Sequence, residues 1–249
     1  MSIIIKSKRE IAAMRQAGRV VATVLEILTR QVRPGMKTKE LDVTAGIEIE
    51  RLGAKPSFKG YRGFPANLCV SVNAQIVHGI PGEWVLNEGD IVSLDLGAIL
   101  NGFHGDAAVT VGVGEISSPA KELMEAAEGA LKAGIAAAYP EAKAGDISAA
   151  IQGYAESRGY SVIREYTGHG IGREMHEEPQ IPNFGLPGTG PALKRGMTFA
   201  LEPMLSTGDW RTRLGDDHWT VFTADGSLSA HFEHTIAITD AEPEVLTVI

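Results

Sequence analysis

Apolar residues recur at helical spacing over the first thirty positions of the chain, with polar residues between them. Ser7 and Glu10 stand three residues apart, the spacing of a capping box at a helix N-terminus. Pro34 and Gly35 then interrupt the pattern, so one amphipathic helix is predicted between these signals. A second helical pattern covers residues 38–53 and ends at a glycine suited to a C-terminal cap. The apolar stripe of the first helix comprises Ile11, Met14, Val21, Val24, Leu25 and Leu28.

A similar pattern of helix-ending and helix-starting residues returns later in the chain, at an offset of 106 positions from Pro34 to Pro140. Ser118 and Pro119 open a third helix, which is predicted to run through Leu131 and to end near Pro140. We interpret the offset as a decayed internal duplication, with halves at about 7–113 and 114–249. We expect both halves to share one sheet and one core within a single domain, 1–249. The matched pairs are Pro34 with Pro140, Lys37 with Lys143, Glu40 with Asp146, Leu41 with Ile147, Glu50 with Glu156, and Gly53 with Gly159.

Short β-branched runs broken by Gly, Asn and Pro follow each pair of helices, and this texture is typical of strands. The predicted strands are residues 68–72, 91–100, 103–113, 197–201, 219–223 and 232–239.

The dipeptide Asn101-Gly102 is the strongest hairpin signal in the chain, because both central positions of a type I′ turn need a positive φ. A two-residue turn there places Asp95 opposite Ala108 and Asp106 opposite Gly97. The two aspartates then lie on one face as diagonal neighbours, with roughly 7–8 Å between their backbones. Their carboxylates are predicted to converge.

Two further acids have the same relation to their strands, since alternation places each opposite the large apolar residues. Glu202 shares a face with Thr198, and Glu233 shares one with Thr235. Each acid alone fits a solvent-facing position on a half-exposed strand. Together, with His169 in a loop predicted to be flexible between two glycines, they indicate a metal site. Carboxylates with a single histidine suit Mn, Fe(II) or Co better than a structural zinc site.

Composition narrows the alternatives. Hydrophobic residues make up 44% and charged residues 22% of the chain, the ordinary globular balance. The net charge of -8 argues against binding a phosphate backbone, so no nucleic-acid function is expected. Cys69 is the single cysteine, and the first residues lack the apolar run of a signal peptide. We therefore expect a cytoplasmic protein with no membrane partner.

Motifs along nearly the whole chain together resemble the type I methionine aminopeptidases of peptidase family M24. The resemblance implies an α+β pita-bread fold, in which helices flank a curved antiparallel sheet with pseudo-twofold halves. The 24 positions from Glu178 to Glu202 leave no room for the insertion of type II relatives. The motifs are Val72-Asn73, His78-Gly79-Ile80-Pro81, Ser93-Leu94-Asp95-Leu96-Gly97, Gly105-Asp106, Gly168-His169-Gly170-Ile171-Gly172, His176-Glu177-Glu178-Pro179, Leu201-Glu202-Pro203 and Ser229-Ala230-His231-Phe232-Glu233-His234-Thr235.

The resemblance also implies the roles of the acidic residues in a site for two divalent metal ions (Mn, Fe(II) or Co, with Zn also compatible). Asp106 and Glu233 would bridge the ions, Asp95 would hold one, and His169 with Glu202 would hold the other. A bridging water would be the nucleophile, and Glu202 would also carry its proton to the leaving amine. His78 and His176 resemble the substrate-contacting histidines of the family; a lone histidine is more often structural.

An apolar pocket for a methionine side chain is implied by the same resemblance. Three positions depart from the pattern expected of relatives: Met175 replaces a phenylalanine, Phe64 replaces a tyrosine found in some, and His231 replaces a glutamine. These departures concern the shape and surroundings of the site, and each pocket residue taken alone fits a core position. The implied pocket residues are Phe58, Tyr61, Phe64, Cys69, Met175 and Trp219.

The function implied is removal of the N-terminal methionine from nascent polypeptides whose second residue is small, by a monomer that meets the ribosome transiently. Two alternatives stay open. Prolidases and proline-specific aminopeptidases share the fold and the five ligands, although they carry an additional N-terminal domain. A non-enzymatic binding module of the same fold is the other alternative, and such modules usually lose ligands.

Overall fold

The computed structural model describes residues 2–249, which form four α-helices and one short 3-10 helix. None of these helices is long and apolar enough to cross a membrane. The helices are α1 (Lys8–Gln31), α2 (Thr38–Arg51), α3 (Ser118–Ala136) and α4 (Ala144–Glu156), and the 3-10 helix is Tyr61–Gly63.

Fifteen strands accompany the helices in these residues. They are β1 (Lys55–Pro56), β2 (Cys69–Val72), β3 (Gln75–Val77), β4 (Ile91–Leu100), β5 (Phe103–Gly112), β6 (Ser161–Val162), β7 (Thr167–Gly170), β8 (Glu177–Pro182), β9 (Thr198–Leu201), β10 (Met204–Ser206), β11 (Thr212–Leu214), β12 (Val221–Thr223), β13 (Ser229–His231), β14 (Glu233–Ala237) and β15 (Glu244–Val245).

One nine-stranded sheet runs through both halves of the chain, in the order β1-β4-β5-β14-β9-β7-β8. β2 pairs with β4 and β15 pairs with β14, and two three-stranded sheets complete the molecule. The halves meet where β5 pairs antiparallel with β14. The prediction of one sheet shared by the halves therefore describes this main sheet.

The helix boundaries follow the signals in the sequence. Ser7 caps α1 in a reciprocal capping box with Glu10. Lys37 and Lys143 occupy the N-cap positions of α2 and α4, and in each case the acid three residues later bonds back to the cap N–H. Both helices are followed by a glycine with positive φ, 75° at Gly53 and 83° at Gly159. The offset of 106 positions thus marks a repeated helical unit.

The central hairpin has the predicted register. Asn101 and Gly102 have φ values of 54° and 77°, as a type I′ turn requires. Asp95 lies opposite Ala108, and Gly97 lies opposite Asp106. The predicted strand 91–100 matches β4, and the other predicted strands match observed ones with ends displaced by one or two residues.

Two large hydrophobic clusters occupy the interior, and the expectation of one shared core was wrong. One cluster lies under α1 and α2 and includes Leu41, and the other lies under α3 and α4 and includes Ile147. Both clusters pack on the face of the main sheet opposite to the carboxylates: Leu94 of β4 belongs to the first cluster and Leu201 of β9 to the second.

Candidate metal centre

A row of residues crosses four strands at the middle of the main sheet. Cys69 pairs with Asp95, Asp95 pairs with Ala108, and Ala108 pairs with Glu233. Adjacent strands lie about 4.8 Å apart, so Asp95 and Glu233 are separated by roughly 10 Å at the backbone. The small side chain of Ala108 leaves the space between them open, and the two carboxylates can lean toward each other across it.

A second row of residues runs from Asp106 through Thr235 and Ala200 to His169, and the side chains at its two ends face the same space. Asp106 lies two residues before Ala108 and shares its face, while His169 pairs with Ala200, which pairs with Thr235. The N–H of Asp106 donates to Thr235 Oγ1 at 3.0 Å, and this hydroxyl donates to the Asp106 carbonyl at 2.8 Å. A side chain thus replaces ladder pairing between β5 and β14 at this point and holds the backbone of Asp106.

The donor atoms of the site converge. Asp106, His169 and Glu233 each offer one ligand atom, and these atoms lie within 4.8 Å of one another. His169 Nε2 lies 3.9 Å from Asp106 Oδ2 and 3.6 Å from Glu202 Oε1. Glu202 directly follows β9, so its carboxylate reaches the cluster from the end of a strand. The structure therefore brings together residues that are distant in the chain.

The prediction of a flexible loop around His169 was wrong, because residues Thr167–Gly170 form β7, which is paired with both β8 and β9. Added side chains would collide with neighbouring backbone: a Cβ on Gly168 would lie 2.6 Å from the Ala200 carbonyl oxygen, and one on Gly170 would lie 2.4 Å from that of Glu178. The glycines serve close strand packing rather than mobility.

The ring of His169 is oriented for ligation. Its Nδ1 lies 2.9 Å from the Gly170 carbonyl oxygen, to which the Nδ1–H donates. Nε2 then carries the lone pair that faces Asp106 and Glu202, as in metal-binding histidines held by a backbone carbonyl. Burial lowers the pKa of His169 to about 4, so the ring is neutral near pH 7.

The four carboxylates are buried beside one another and their charges repel. Burial raises the pKa of Asp95 to about 7. The pKa values of Asp106, Glu202 and Glu233 are raised well above their usual range. Burial is the larger cause, and repulsion from neighbouring carboxylates is the next. Divalent cations between the oxygens would remove this cost.

Two buried oxygens test whether this group of residues fits metal ions. Asp95 Oδ1 and Asp106 Oδ1 have no hydrogen-bond partner within residues 2–249. A buried carboxylate oxygen without a partner is costly, and coordination to a cation satisfies it. The oxygen-rich donor set with one neutral imidazole fits divalent ions of the Mn, Fe(II) and Co type.

A cavity of about 140 Å³ opens beside the carboxylates. A cavity of about 150 Å³ accommodates a molecule of the size of benzene, so the space suits one side chain. All six pocket residues implied by the sequence line it. Arg62 and Val77 also line it and were missed; the position of Arg62 directly after Tyr61 was the available signal. The lining is Phe58, Tyr61, Arg62, Phe64, Cys69, Val77, His78, Asp95, Asp106, His169, Met175, His176, Glu202, Trp219 and Glu233.

Three aromatic residues shape the apolar part of the cavity. Phe64 contacts Phe58 and Trp219 edge to face, with ring centroids 6.5 and 5.2 Å apart. Phe58 approaches β4 at Gly97, where an added Cβ would lie 2.8 Å from the Phe58 ring. Burial and the nearby Asp95 raise the pKa of the Cys69 thiol well above its usual value, so Cys69 stays protonated and is a poor nucleophile.

Both candidate substrate-contacting histidines reach this cavity. His176 stacks on Tyr61, with ring centroids 5.4 Å apart, and its Nδ1 lies 2.8 Å from the Tyr61 hydroxyl. Its ring centroid is 4.2 Å from that of His169. His78 contacts Trp219 edge to face at 6.4 Å. Burial lowers the pKa of His78 to about 4 and that of His176 to about 3, so both rings are neutral near pH 7.

His231 lies behind the carboxylates. Its side chain is 1% exposed, and neither ring nitrogen has a hydrogen-bond partner within residues 2–249. Its Nε2 is 3.9 Å from Glu233 Oε2. The position that departs from the expected family pattern is therefore adjacent to a candidate ligand.

Known proteins resemble this chain in sequence and in structure. The model of metallopeptidase family M24 matches residues 12–240. A methionine aminopeptidase of Clostridium perfringens is 53% identical over 247 residues, which cover 99% of both chains. The crystal structure of a methionine aminopeptidase from Thermotoga maritima covers 100% of both chains with a TM-score of 0.98 and 47% identity.

A more distant neighbour delimits the fold. Prolidase from Pyrococcus furiosus superposes with a TM-score of 0.81 at 24% identity, over 99% of this chain and 66% of the prolidase. This likeness shows the shared fold alone. Together with the Thermotoga structure, it confirms the predicted α+β pita-bread architecture.

Proposed function

The chain belongs to metallopeptidase family M24, and on this premise we propose that it is a divalent-metal aminopeptidase that removes N-terminal methionine when the second residue is small. The observation that carries the proposal is the convergence of Asp106, His169 and Glu233, with unpartnered buried carboxylate oxygens, beside an apolar cavity sized for one side chain. The relatives at high identity that are named methionine aminopeptidases support the choice of substrate.

The ligand assignment rests on the family resemblance. Asp106 and Glu233 would each help to hold both ions, and Asp95 would help to hold one of them. His169 and Glu202, whose donor atoms lie 3.6 Å apart, are proposed to hold the second ion. The ions would polarise the scissile carbonyl and lower the pKa of a water. Mn, Fe(II) or Co fits the donor set, and Zn is compatible with it.

Glu202 is proposed to move the proton. Its side chain is 13% exposed, more than those of Asp106 and Glu233, and it lines the cavity. A positioned carboxyl group of this kind can accept a proton from the attacking water and deliver it to the leaving amine.

His176 and His78 are proposed to bind the substrate backbone as neutral donors. If the Tyr61 hydroxyl donates to His176 Nδ1, at 2.8 Å, then Nε2–H is free to donate to the scissile carbonyl oxygen. His78 lines the same cavity and can donate near the scissile peptide. Such donors stabilise developing negative charge without changing their own protonation.

The apolar wall is proposed to bind the methionine side chain. Phe58, Phe64 and Trp219 offer ring edges to a thioether sulfur, a favourable contact, and Met175 and Tyr61 complete the wall. Cys69 lies at its base, next to Asp95. A bulky second residue would meet the buried carboxylates and histidines, which is consistent with a preference for small ones.

Finer properties are part of the same proposal: a single catalytic domain 1–249 with halves at about 7–113 and 114–249, and a monomer acting in the cytoplasm on nascent N-termini in transient contact with the ribosome. No role with nucleic acid or membrane is proposed. The main support for the domain assignment is the repeated helical unit and the sheet that joins the halves.

Peptide hydrolysis after anaerobic purification and metal analysis tests the proposal. With Mn, Fe(II) or Co added, Met-Ala-Ser should be cleaved in strong preference to Met-Lys-Ser, Gly-Pro and Ala-Pro-Ala. Asp106→Asn is the matched inactive variant. Preference for a proline peptide would replace the assignment with a proline-specific one. A protein that binds no divalent ion and cleaves no peptide would favour the binding-module alternative.

A further inference from the structure

A buried ion pair lies outside the candidate metal centre. Lys6 and Glu177 are in direct contact, with side chains that are 3% and 4% exposed. Lys6 is the only buried lysine within residues 2–249. Its Nζ also donates to the Ile4 carbonyl oxygen at 3.2 Å, and its backbone N–H donates to the Gly196 carbonyl oxygen at 2.7 Å. The segment before α1 is therefore fixed around this side chain.

The carboxylate of Glu177 organises the residues that precede it. Its Oε2 accepts from Lys6, and its Oε1 accepts the backbone N–H groups of Arg173 at 2.9 Å and Glu174 at 3.4 Å. A Cβ on Gly172 would lie 2.5 Å from Glu177 Oε1 and 2.6 Å from Lys6 Cε. Residues 172–177, here called the 172–177 loop, thus fold tightly around one ion pair.

The 172–177 loop carries two residues of the cavity. Met175 and His176 both line it, and His176 contacts Tyr61 and His169. Along the chain, these two residues stand between Arg173 and Glu174, whose N–H groups Glu177 binds, and Glu177 itself. Any shift of the loop therefore moves an apolar wall and a hydrogen-bond donor of the site together.

We propose that Lys6 is a positioning residue for the 172–177 loop: through Glu177 it sets the places of Met175 and His176 in the substrate site. The proposal rests on the proposed function of that site. A buried ion pair is by itself weak evidence for stability, and a role in specifying one conformation is an alternative reason for it to be present. Here the conformation specified is that of two cavity residues, and a displacement of about 1 Å in such residues can cost about 100-fold in rate.

The experiment compares three variants with the wild-type protein. Lys6→Met keeps the apolar stem and leaves the buried Glu177 uncompensated. Lys6→Met with Glu177→Gln removes both charges and keeps an oxygen for the Arg173 N–H. Arg15→Met is the matched control. Arg15 lies in α1, and this substitution breaks its ion pair with Glu244, which does not involve the 172–177 loop. All are assayed with bound metal, at a temperature well below their unfolding midpoints.

Lys6→Met is expected to lower kcat/KM for Met-Ala-Ser by tenfold to 100-fold, with at least part of the loss in KM, because Met175 and His176 contact the substrate. Metal stoichiometry should not change, because no ligand is touched. The double variant should recover part of kcat/KM. Amide hydrogen exchange should increase at Arg173 and Glu174 in Lys6→Met and stay unchanged there in Arg15→Met.

Two results would overturn the proposal. One is a Lys6→Met protein whose exchange at Arg173 and Glu174 and whose kcat/KM are within twofold of wild type. The other is an equal loss in Arg15→Met, which would indicate general destabilisation. Failure of the proposed function is distinct, since wild-type protein would then cleave no methionyl peptide, and the exchange measurement would still decide whether Lys6 orders the loop.

Discussion

The two halves of the molecule repeat the same helical unit but supply the residues of the candidate metal centre in different ways. In the first half, Asp95 and Asp106 come from one hairpin, β4–β5, whose register is set by a two-residue turn. In the second half, His169, Glu202 and Glu233 come from β7, the end of β9, and β14, which are separated along the chain. One half thus positions its candidate ligands by local geometry and the other by long-range pairing.

This difference indicates which features the two halves share and which they do not. The helices of both halves keep matched caps and matched buried positions, such as Leu41 and Ile147, because each covers its own hydrophobic cluster. The strands lie at the junction of the halves, where the required feature is convergence of donor atoms. Any strand arrangement that places a carboxylate there serves this purpose.

Ligand substitution is expected to have the largest effect and tests whether both halves are needed. Asp106→Asn from the first half and Glu233→Gln from the second should each reduce kcat by on the order of 10³-fold or more, since each removes a charge that balances the ions. The measurement is Met-Ala-Ser hydrolysis with metal analysis. Glu125→Gln, at an exposed position of α3, is the control. Activity retained in Glu233→Gln alone would show that the site does not need this carboxylate of the second half.

Core truncation tests whether the two clusters are independent. Leu41→Ala and Ile147→Ala, at equivalent and fully buried positions, should each lower the free energy of unfolding by about 2–5 kcal/mol in urea titrations. Because the residues lie in separate clusters, the double variant should show the sum. Val43→Ala, at an exposed position, should change the free energy of unfolding by less than about 0.5 kcal/mol. A strongly non-additive double variant would show that the clusters act as one core.

The loss of stability on metal removal should depend on pH, in a direction set by the pKa values of the buried carboxyl groups. Burial raises the pKa of Asp95 to about 7, so without metal the folded state binds more protons than the unfolded state between about pH 4 and 7, and its stability falls as pH rises through that window. A chelator should therefore lower Tm more at pH 8 than at pH 5.5, relative to protein with excess metal. An equal or reversed difference would contradict the raised pKa of the buried Asp95 carboxyl group.

Removal of a helix cap should have the smallest effect on stability. The comparison is between α1 and α3, the first helix of each half. Ser7→Ala and Ser117→Ala each remove a hydroxyl that accepts from the N–H three residues later, at 3.3 Å in both cases. Each should cost about 0.5–2 kcal/mol in urea unfolding, with Ser7 the larger because its cap is reciprocal. Ser117→Asn, which keeps a capping side chain, should retain most of the stability. A larger loss at Ser117 would reverse the ranking.

Local signals in the sequence were sufficient for much of the fold. The capping box at Ser7, the glycines at 53 and 159 and the Asn101-Gly102 turn each act through neighbouring backbone atoms, and all appear in the structure as predicted. The placement of Asp95 and Asp106 on one face of the hairpin followed from its register, because a side-chain period of two leaves no freedom once the turn is known. The family resemblance then identified the pocket residues that surround them.

Other features depended on contacts that no local pattern records. Glycines around His169 predicted a flexible loop, but strands on both sides of β7 require the absence of a Cβ there. Lys6 and Glu177 are separated by most of the chain, and each alone is typical of a solvated surface residue. Their burial as a pair was therefore not predictable from either position.

The sequence by itself determined the elements, the hairpin register and the types of donor atom, because these depend on backbone preferences and side-chain chemistry within a few residues. Only the tertiary structure decided that β5 meets β14, that two clusters replace one core, and that an ion pair near the N-terminus holds the loop carrying His176. These features follow from long-range packing, in which the free energy of each contact depends on groups brought together only by the completed fold.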